Sequence, residues 1–343
     1  MKIALDSTYS VGRNLSGVGV YSRAILSGLA AAHPEASFLY CYRPHRILAS
    51  FRVSIQRNCH RRLLWKNRAP AADLFHGLNQ RIDSARHRRV VSTFHDLFVM
   101  TGDYSTPEFR RKFSDQARTA ADRSDLIITV SQFTARQVET LLGVEPARIR
   151  VVPHGVLQQS GQFIERQREP MILFVGALQR RKNVIRLLEA FERVPLGWQL
   201  VLTGSLGFGS DEILARIEGS SRKADIRLLG YVPEGELERL YQRASVFAFP
   251  SLDEGFGMPV LEAMAYGVPV LTSNTSALPE VAGEAALLVN PFETDDIAEG
   301  LRRLIRDQEL RAQLAKKGLE RIRDFTWEKA VEKTWSVYLE VLG

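Results

Sequence analysis

"SLDEGFGMPVLEAMAYGVPVLTSN", residues 251–274, places a carboxylate, Glu254, at the mouth of a glycine-bearing turn and a second, Glu262, eight positions later inside an apolar run. A buried carboxylate is costly unless something pairs with it. Each glutamate therefore has a partner inside the chain or in a ligand. Pro259 suits the first position of a helix, where its missing N–H costs nothing. Gly255 and Gly257 let the backbone approach another group closely. A helix that starts here aims its free N–H groups and its dipole at whatever fills the turn, which is an anion site apt for a diphosphate. Glu254 would sit in that turn and Glu262 about one helical turn further in. Carboxylates accept hydrogen bonds from vicinal hydroxyls of a ribose or hexose. The plainer alternative is that both glutamates only favour the helix N-terminus electrostatically. Either way, "SVFAFPS" (245–251) before the turn and "GVPVLTS" (267–273) after the helix are short β-rich runs. Strand, turn, helix, strand is the repeating unit of a parallel α/β sheet.

The same alternation runs outward in both directions. Strand candidates are "KIALDS" (2–7), "SFLYCYR" (37–43), "DLFHG" (73–77), "RVVSTFHD" (89–96), "DLIITVS" (125–131) and "IRVVPHG" (149–155). After them come "MILFVG" (171–176), "WQLVLTG" (198–204), "DIRLLGY" (225–231), the two runs above and "AALLVNP" (285–291). Amphipathic helices such as "VIRLLEAFERV" (184–194) and "EGELERLYQRA" (234–244) lie between them. Near-continuous apolar strands fit sheets buried on both faces. The polar stretch "VLQQSGQFIERQREP" (156–170) reads as an interdomain linker. The expectation is two Rossmann-like domains facing each other across a cleft. Ligands of such sheets bind beyond the carboxyl ends of the strands. Polar or glycine residues sit at nearly every one of those ends, among them Gly77, His95–Asp96, Ser131, His154–Gly155, Gly176, Gly204, Gly230–Tyr231 and Ser273. There is no G-x-G-x-x-G, so a nicotinamide cofactor is not indicated.

Length and composition allow two ordinary globular domains. Two cysteines, Cys41 and Cys59, make a disulfide framework improbable and fit a reducing, cytoplasmic location. No Cys/His cluster has metal-ligand spacing. The opening "MKIALDSTYS" turns polar too early for a signal peptide, and no run reaches the apolar length of about 18 residues that a membrane span needs. Net charge is +7, but residues 1–160 carry +11 and the remainder −4. That asymmetry points to an anionic partner for the basic half. Its densest part, "RPHRILASFRVSIQRNCHRRLLWKNR" (43–68), holds eight Lys/Arg and no acid, with Ile47, Leu48, Phe51, Val53, Ile55, Leu63, Leu64 and Trp65 between them. Such a mix suits an anionic membrane surface, and equally an arginine-rich solvated face over a buried side. No nucleic-acid motif is present.

Three further stretches could carry chemistry. In "GALQRRKN" (176–183), Arg181 and Lys182 fall at a helix start, where cations oppose the macrodipole but can clamp phosphates. In "STFHDL" (92–97), His95 ends a strand and could bond a sugar hydroxyl or a leaving phosphate, though a lone histidine is more often a satisfied core residue. "NLSGVGVYSRAIL" (14–26) offers a glycine turn into a helix, a second anion cradle.

With these residues in hand, "PSLDEGFGMPVLEAMAYGVPVLTSNTSALPEVAGEAALLVNP" closely resembles the donor-binding segment of retaining glycosyltransferases of family 4, which have the GT-B fold. The Glu254–Glu262 spacing is that family's signature, and "VGALQRRKN", "GYVPEGELERLYQRASVFAFPS", "FHDL", "SGVGVY" and the closing "FTWEKAVEKTWSVYLEVL" are similar to it in family order. The set looks most like bacterial mannosyltransferases that build surface polysaccharides. The resemblance implies an acceptor-side domain of residues 1–160 plus 327–343 and a donor domain of 166–326, with the closing helix crossing back to the first. It implies that Glu254 and the amides of Phe256, Gly257 and Met258 hold the donor hexose, and that Glu262 binds the ribose. Arg181 and Lys182 would neutralise the diphosphate, Tyr231 and Val232 flank the base, His95 contact the sugar, and Gly17 and Gly19 line the phosphate and acceptor side. Many relatives place an arginine where this chain has Ala177, which leaves more of the phosphate charge to Arg181 and Lys182. The activity implied is retaining hexosyl transfer from a nucleotide sugar, GDP-mannose favoured, to a glycan, lipid-linked in the favoured reading, at the inner membrane face. No D-x-D motif occurs, so no metal is expected. The alternatives are a UDP-hexose donor, a nucleotide-sugar epimerase or phosphorylase of the same fold, and a non-catalytic sugar-nucleotide-binding scaffold.

Overall fold

A computed structural model describes residues 1–12, 14–65, 67–157 and 168–343. The chain divides into two compact units. The first comprises Met1–Thr101, Thr106–Gly155 and Phe325–Gly343; the second comprises Gly102–Ser105 and Val156–Asp324. Most of the stretch read as a linker, 158–167, lies outside the described residues, while Glu169 and Pro170 already belong to a strand.

The first unit holds β1 (Lys2–Asp6), β2 (Ser37–Tyr42), β3 (Cys59–Leu63), β4 (Leu74–Gly77), β5 (Val90–Phe94), β6 (Leu126–Thr129) and β7 (Ile149–Val151), ordered β3-β2-β1-β4-β5-β6-β7. The pairings are parallel; Ile3, for example, lies between Phe38 and Leu74. Successive residues of a strand face opposite sides. Accordingly Ile3 and Leu5 join Tyr21, Ile25 and Leu29 of the helix Gly17–Ala32, and Ala4 joins Leu39, Cys41 and Phe75. A strand apolar on both sides is what a sheet covered on both faces needs.

β3, "CHRRL", has no counterpart among the expected strands. It pairs with β2 from Phe38↔Cys59 to Tyr42↔Leu63 at the sheet edge. Cys59 is buried, whereas His60 and Arg62 point to solvent. Charged side chains are a common protection of an edge strand, and here they hide the period of two. The basic segment 43–68 is thus partly framework. After Arg43 it forms the helix Pro44–Ser50, and Ile47, Val53 and Ile55 pack on the core. Leu48, Phe51 and Trp65 remain exposed.

The second unit holds β8 (Glu169–Val175), β9 (Gln199–Thr203), β10 (Ile226–Gly230), β11 (Ala244–Phe249), β12 (Val270–Ser273) and β13 (Ala286–Val289), all parallel, ordered β10-β9-β8-β11-β12-β13. Its core is the fully buried run Ile172, Leu173 and Phe174 beside Leu200, Val201 and Leu202 on one side and Val246 and Phe247 on the other.

The closing helix, Trp327–Leu342, belongs to the first unit, as the resemblance implied. Val331, Val337 and Tyr338 enter the core that the helix Gly17–Ala32 builds. Burying each such side chain contributes about 1.5–3 kcal/mol. The approach is close: a Cβ on Gly28 would lie 2.4 Å from Val331 Cγ2. In each sheet the strand order reverses once, between β1 and β4 in the first and between β8 and β11 in the second. Ligands of open α/β sheets gather at such reversals, outside the carboxyl ends.

Candidate functional site

At the reversal in the second sheet, the loop after β8 meets the loop after β11. Arg181 and Lys182 lie in a 3-10 turn, Arg180–Lys182, and not at a helix start as their spacing had suggested. The helix Val184–Phe191 begins only after Asn183, which takes a left-handed φ of 59°. Asparagine tolerates that conformation better than most residues. The Asn183 amide donates to the carbonyls of Pro250, 2.9 Å, and Pro291, 2.6 Å, and so fixes the β8 loop to the β11 loop. Leu252 N–H donates to Arg181 O at 2.8 Å, a second tie.

Across this junction the Glu254 carboxylate takes both cations. Its Oε1 lies 2.5 Å from Lys182 Nζ and its Oε2 2.9 Å from Arg181 Nη1. Arg181 Nη1 also donates to Asp253 O at 2.7 Å, and Lys182 Nζ sits 4.6 Å from the Phe249 ring centroid. Both partners of the closer pair are buried; their side chains are 8% exposed. Burial pushes the Glu254 carboxyl up, but the charges and hydrogen bonds of Arg181 and Lys182 overcome it and hold the group at about 2. Two cations share one carboxylate here, so neither is fully neutralised by Glu254 alone, and the buried Asp253 lies in the same turn.

Gly257 has φ +107°, and a Cβ there would lie 2.7 Å from Leu278 Cδ2, so conformation and space both require glycine. The helix Met258–Ala265 follows; it starts one residue earlier than expected, so Pro259 occupies its second position, where the N–H is equally dispensable. Phe256 and Gly257 are buried and Met258 is half-buried at that N-terminus. Glu262 is not part of the cation cluster. Its Oε2 accepts from Tyr241 Oη at 2.9 Å. Burial pushes its carboxyl up, the Tyr241 bond pulls it back in part, and the charge of Glu234 adds to the rise. Tyr241 in turn stacks on Tyr266, 5.4 Å between centroids. Tyr231 is exposed just beyond β10, and Val232 beside it is buried. Sequence reasoning missed Tyr241 and Asn183. The asparagine could have been read from its place between a charged turn and a helix; the tyrosine has no local signal.

In the first unit, His95 follows β5 and is buried. Its Nε2–H donates to Leu78 O at 2.9 Å, and its Nδ1 faces His154 Nε2 at 3.3 Å across stacked rings. Burial, against the Leu78 bond, lowers it to about 4. The sugar contact expected of His95 therefore requires one of these internal bonds to be exchanged. The edge of Tyr21 meets the His95 ring at 4.7 Å. The Tyr21 hydroxyl bonds Thr93 Oγ1 (2.9 Å), which bonds His76 Nε2 (2.8 Å), whose Nδ1 bonds Tyr338 Oη on the closing helix (2.6 Å). Gly17 opens the helix Gly17–Ala32, Ser16 caps it by accepting from Gly19 N–H at 3.4 Å, and a Cβ on Gly19 would meet Tyr9 O at 2.8 Å. Among the described residues, no group of three His, Cys, Asp or Glu could hold a metal ion, and no helix is long and apolar enough to cross a membrane.

Comparison with known proteins gives this geometry a family. Residues 15–157 match the profile described as Glycosyltransferase Family 4, and residues 158–321 match Glycosyl transferases group 1. The chain is 30% identical, over 98% of its length and 99% of the relative's, to the O-antigen chain mannosyltransferase B of Escherichia coli. This chain is a family 4 glycosyltransferase. A second member of the group, the MMP alpha-(1->4)-mannosyltransferase of Mycolicibacterium hassiacum, is 31% identical over 67% of this chain and 58% of its own. Among solved structures, sucrose-phosphate synthase from Thermosynechococcus elongatus superposes with a TM-score of 0.80 at 21% identity, covering 99% of this chain and 98% of that one. WaaG, described as a glycosyltransferase of lipopolysaccharide biosynthesis, superposes at 0.74 and 16%, covering 98% and 99%. At such identities these likenesses show the fold, which is GT-B.

Proposed function

We propose that this glycosyltransferase moves a hexose, mannose in the favoured reading, from a nucleoside diphosphate to a glycan acceptor with retention at the anomeric carbon. The observation that carries the proposal is the buried Glu254–Arg181–Lys182 cluster at the sheet reversal of the second unit, beside the N-terminus of the helix Met258–Ala265. As the bond from the anomeric carbon to the diphosphate breaks, negative charge grows on the phosphate oxygens. Fixed cations and helix N–H groups stabilise that charge without reorganisation. Arg181 and Lys182 supply the cations in this reading. Glu254, kept ionised by them, accepts from hexose hydroxyls together with the amides of Phe256, Gly257 and Met258. Glu262 takes the ribose, with Tyr241 fixing the carboxylate. Tyr231 and Val232 border the base. The acceptor hydroxyl forms the new bond on the face the diphosphate leaves, and its proton passes to a phosphate oxygen of the leaving group. His95 contacts the transferred sugar and helps at the reacting centre, and Gly17 and Gly19 line the phosphate and acceptor side. No step assigns work to a metal ion.

The names of the mannosyltransferase relatives support mannose, and GDP is the nucleotide this reading favours. A neighbouring fold solved with UDP and glucose, from Anabaena, keeps a UDP-hexose as the second reading. A lipid-linked acceptor would draw the enzyme to a membrane, and the exposed Leu48, Phe51 and Trp65 among Arg52, Arg57, Arg62 and Arg68 support that docking. The test is thermal unfolding with GDP, UDP and ADP in turn, in EDTA. Binding to the native state raises the midpoint by mass action. A rise with GDP alone is expected; a rise with UDP alone moves the donor to a UDP-hexose; no rise with any of the three overturns the donor site.

A further inference from the structure

The sheet reversal of the first unit, between β1 and β4, carries a group of side chains that the proposed chemistry does not use. Four arginines from four different segments converge on the short stretch Asp6–Val11 that follows β1. Arg23, on the helix Gly17–Ala32, donates from Nε and Nη2 to Ser10 O at 3.4 and 3.3 Å. Arg43, just after β2, reaches Asp6 Oδ2 with Nη2 at 3.4 Å. Arg46, on the helix Pro44–Ser50, donates to Val11 O at 3.4 Å. Arg81, in the loop after β4, donates to Tyr9 Oη at 3.1 Å and so bridges the reversal itself. Among the described residues, the carboxylate that meets this group is Asp6. Asp83, on the β4 loop, is occupied by the Ala85 N–H and His87, 2.7 and 2.9 Å from its Oδ1.

Four guanidinium groups around six residues, with Asp6 the one carboxylate they bond, is an unfavourable arrangement if nothing else binds there. Most of the bonds that hold them are long for N–H···O, where 2.7–3.2 Å is usual. They are also made largely to neutral carbonyls and a phenol. Charge-assisted bonds from guanidinium to a phosphate are shorter and roughly twice as strong, and the planar fork matches two phosphate oxygens. The place is also the one at which an open parallel sheet takes its ligand.

We infer that the carboxyl end of β1, ringed by Arg23, Arg43, Arg46 and Arg81, is a binding site for a phosphate or diphosphate ester carried by the acceptor substrate. This rests on the reading that the first unit receives the acceptor, and it gives that acceptor an anionic group in addition to its sugar hydroxyl. It also divides the basic segment: Arg43 and Arg46 face the β1 turn, and the exposed arginines from Arg52 onward do not share these bonds.

The probe is inorganic pyrophosphate, titrated calorimetrically into the full-length protein at low salt, with and without a saturating nucleoside diphosphate. Pyrophosphate is expected to bind in both conditions. Arg46→Gln combined with Arg81→Gln is expected to weaken it at least about tenfold. The pair Arg303→Gln and Arg306→Gln, the same charge change on a helix of the second unit, is expected to leave it within about twofold. An unchanged affinity in the first variant, an equal loss in the second, or displacement of pyrophosphate by the nucleotide would overturn the site. Nucleotide affinity and unfolding midpoint, measured on the same samples, report folding and the donor site separately, so a failed donor reading does not pass for a failed anion site. A second arm uses phosphatidylcholine vesicles with and without a polyprenyl diphosphate. Recruitment by the diphosphate that the first variant loses identifies a lipid-borne ester; pyrophosphate binding without recruitment identifies a soluble one.

Discussion

Two sheet reversals in one chain have been furnished in opposite ways. In the second unit the cations Arg181 and Lys182 are buried and held by a carboxylate, Glu254, at charge-assisted distances. In the first, the arginines around Asp6–Val11 are more open and held loosely by backbone carbonyls. A buried ion cluster is rigid and preorganised, and removing one member leaves a charge in a poor solvent. An open guanidinium ring tolerates losses and adapts to its guest. The second arrangement suits recognition of a group that takes no part in bond breaking; the first suits stabilisation of charge that appears only during the reaction. The titratable residues separate in the same way. All seven histidines of the chain lie at or before residue 154, in the first unit.

The sharpest way to break the contrast is at Lys182. Lys182→Ala is expected to lower the rate of sugar transfer by about 10²–10³-fold, the scale seen when one preorganised stabilising group is removed. Initial rates at saturating donor measure this, and an undiminished rate would dissolve the phosphate assignment. Next comes Glu254→Gln. It leaves two buried cations facing a neutral amide, and should cost about 3 kcal/mol of stability in denaturant unfolding. Because a nucleoside diphosphate brings its own negative charge, it should raise the unfolding midpoint of this variant more than that of the parent.

Acid separates the units without mutation. Burial lowers His95 to about 4 and His76 to about 3, below an unfolded value near 6.5. Such groups bind protons more readily when unfolded, so the stability they favour is complete above about pH 6.5 and falls as pH drops towards 4, by about 3 kcal/mol for His95 alone. Glu254 behaves otherwise: held at about 2, its contribution is present above its unfolded pKa and is lost only as pH falls from there through about 2. Hydrogen exchange at descending pH should therefore show the first unit opening before the second; the reverse order would contradict this partition. The smallest effect expected is that of Tyr338→Phe. It removes the 2.6 Å bond to His76 Nδ1 and should lower stability by about 1–2 kcal/mol, read from the denaturant midpoint, with Lys182-dependent catalysis untouched.

Much of this organisation was legible in the residues. Strand–helix alternation placed both sheets, and Glu254, Arg181 and Lys182 were singled out by turn glycines and misplaced charge. Their mutual pairing was not legible, because they are about seventy positions apart and a sequence does not show which strand ends become neighbours; the order β8-β11 does that. The partner of Glu262 was hidden for the same reason, since Tyr241 looks like any core aromatic. β3 was missed where composition spoke louder than period: three of its five residues are His60, Arg61 and Arg62. The arginine ring was visible only as bulk charge, since Arg23, Arg43, Arg46 and Arg81 meet through tertiary structure alone.

The return of Trp327–Leu342 to the first unit has a consequence for how the chain is made. Residues 1–155 leave the ribosome before the second unit, but Val331 and Tyr338, which complete their core, leave after it. At ordinary synthesis rates the wait is on the order of ten seconds or more. Apart from Gly102–Ser105, the second unit is one continuous stretch and can close during that wait, while the half-covered core beside Gly28 stays open to chaperones. Birth order and folding order are thus inverted, and a released chain truncated shortly before Trp327 should present a protease-resistant second unit and a cleavable first.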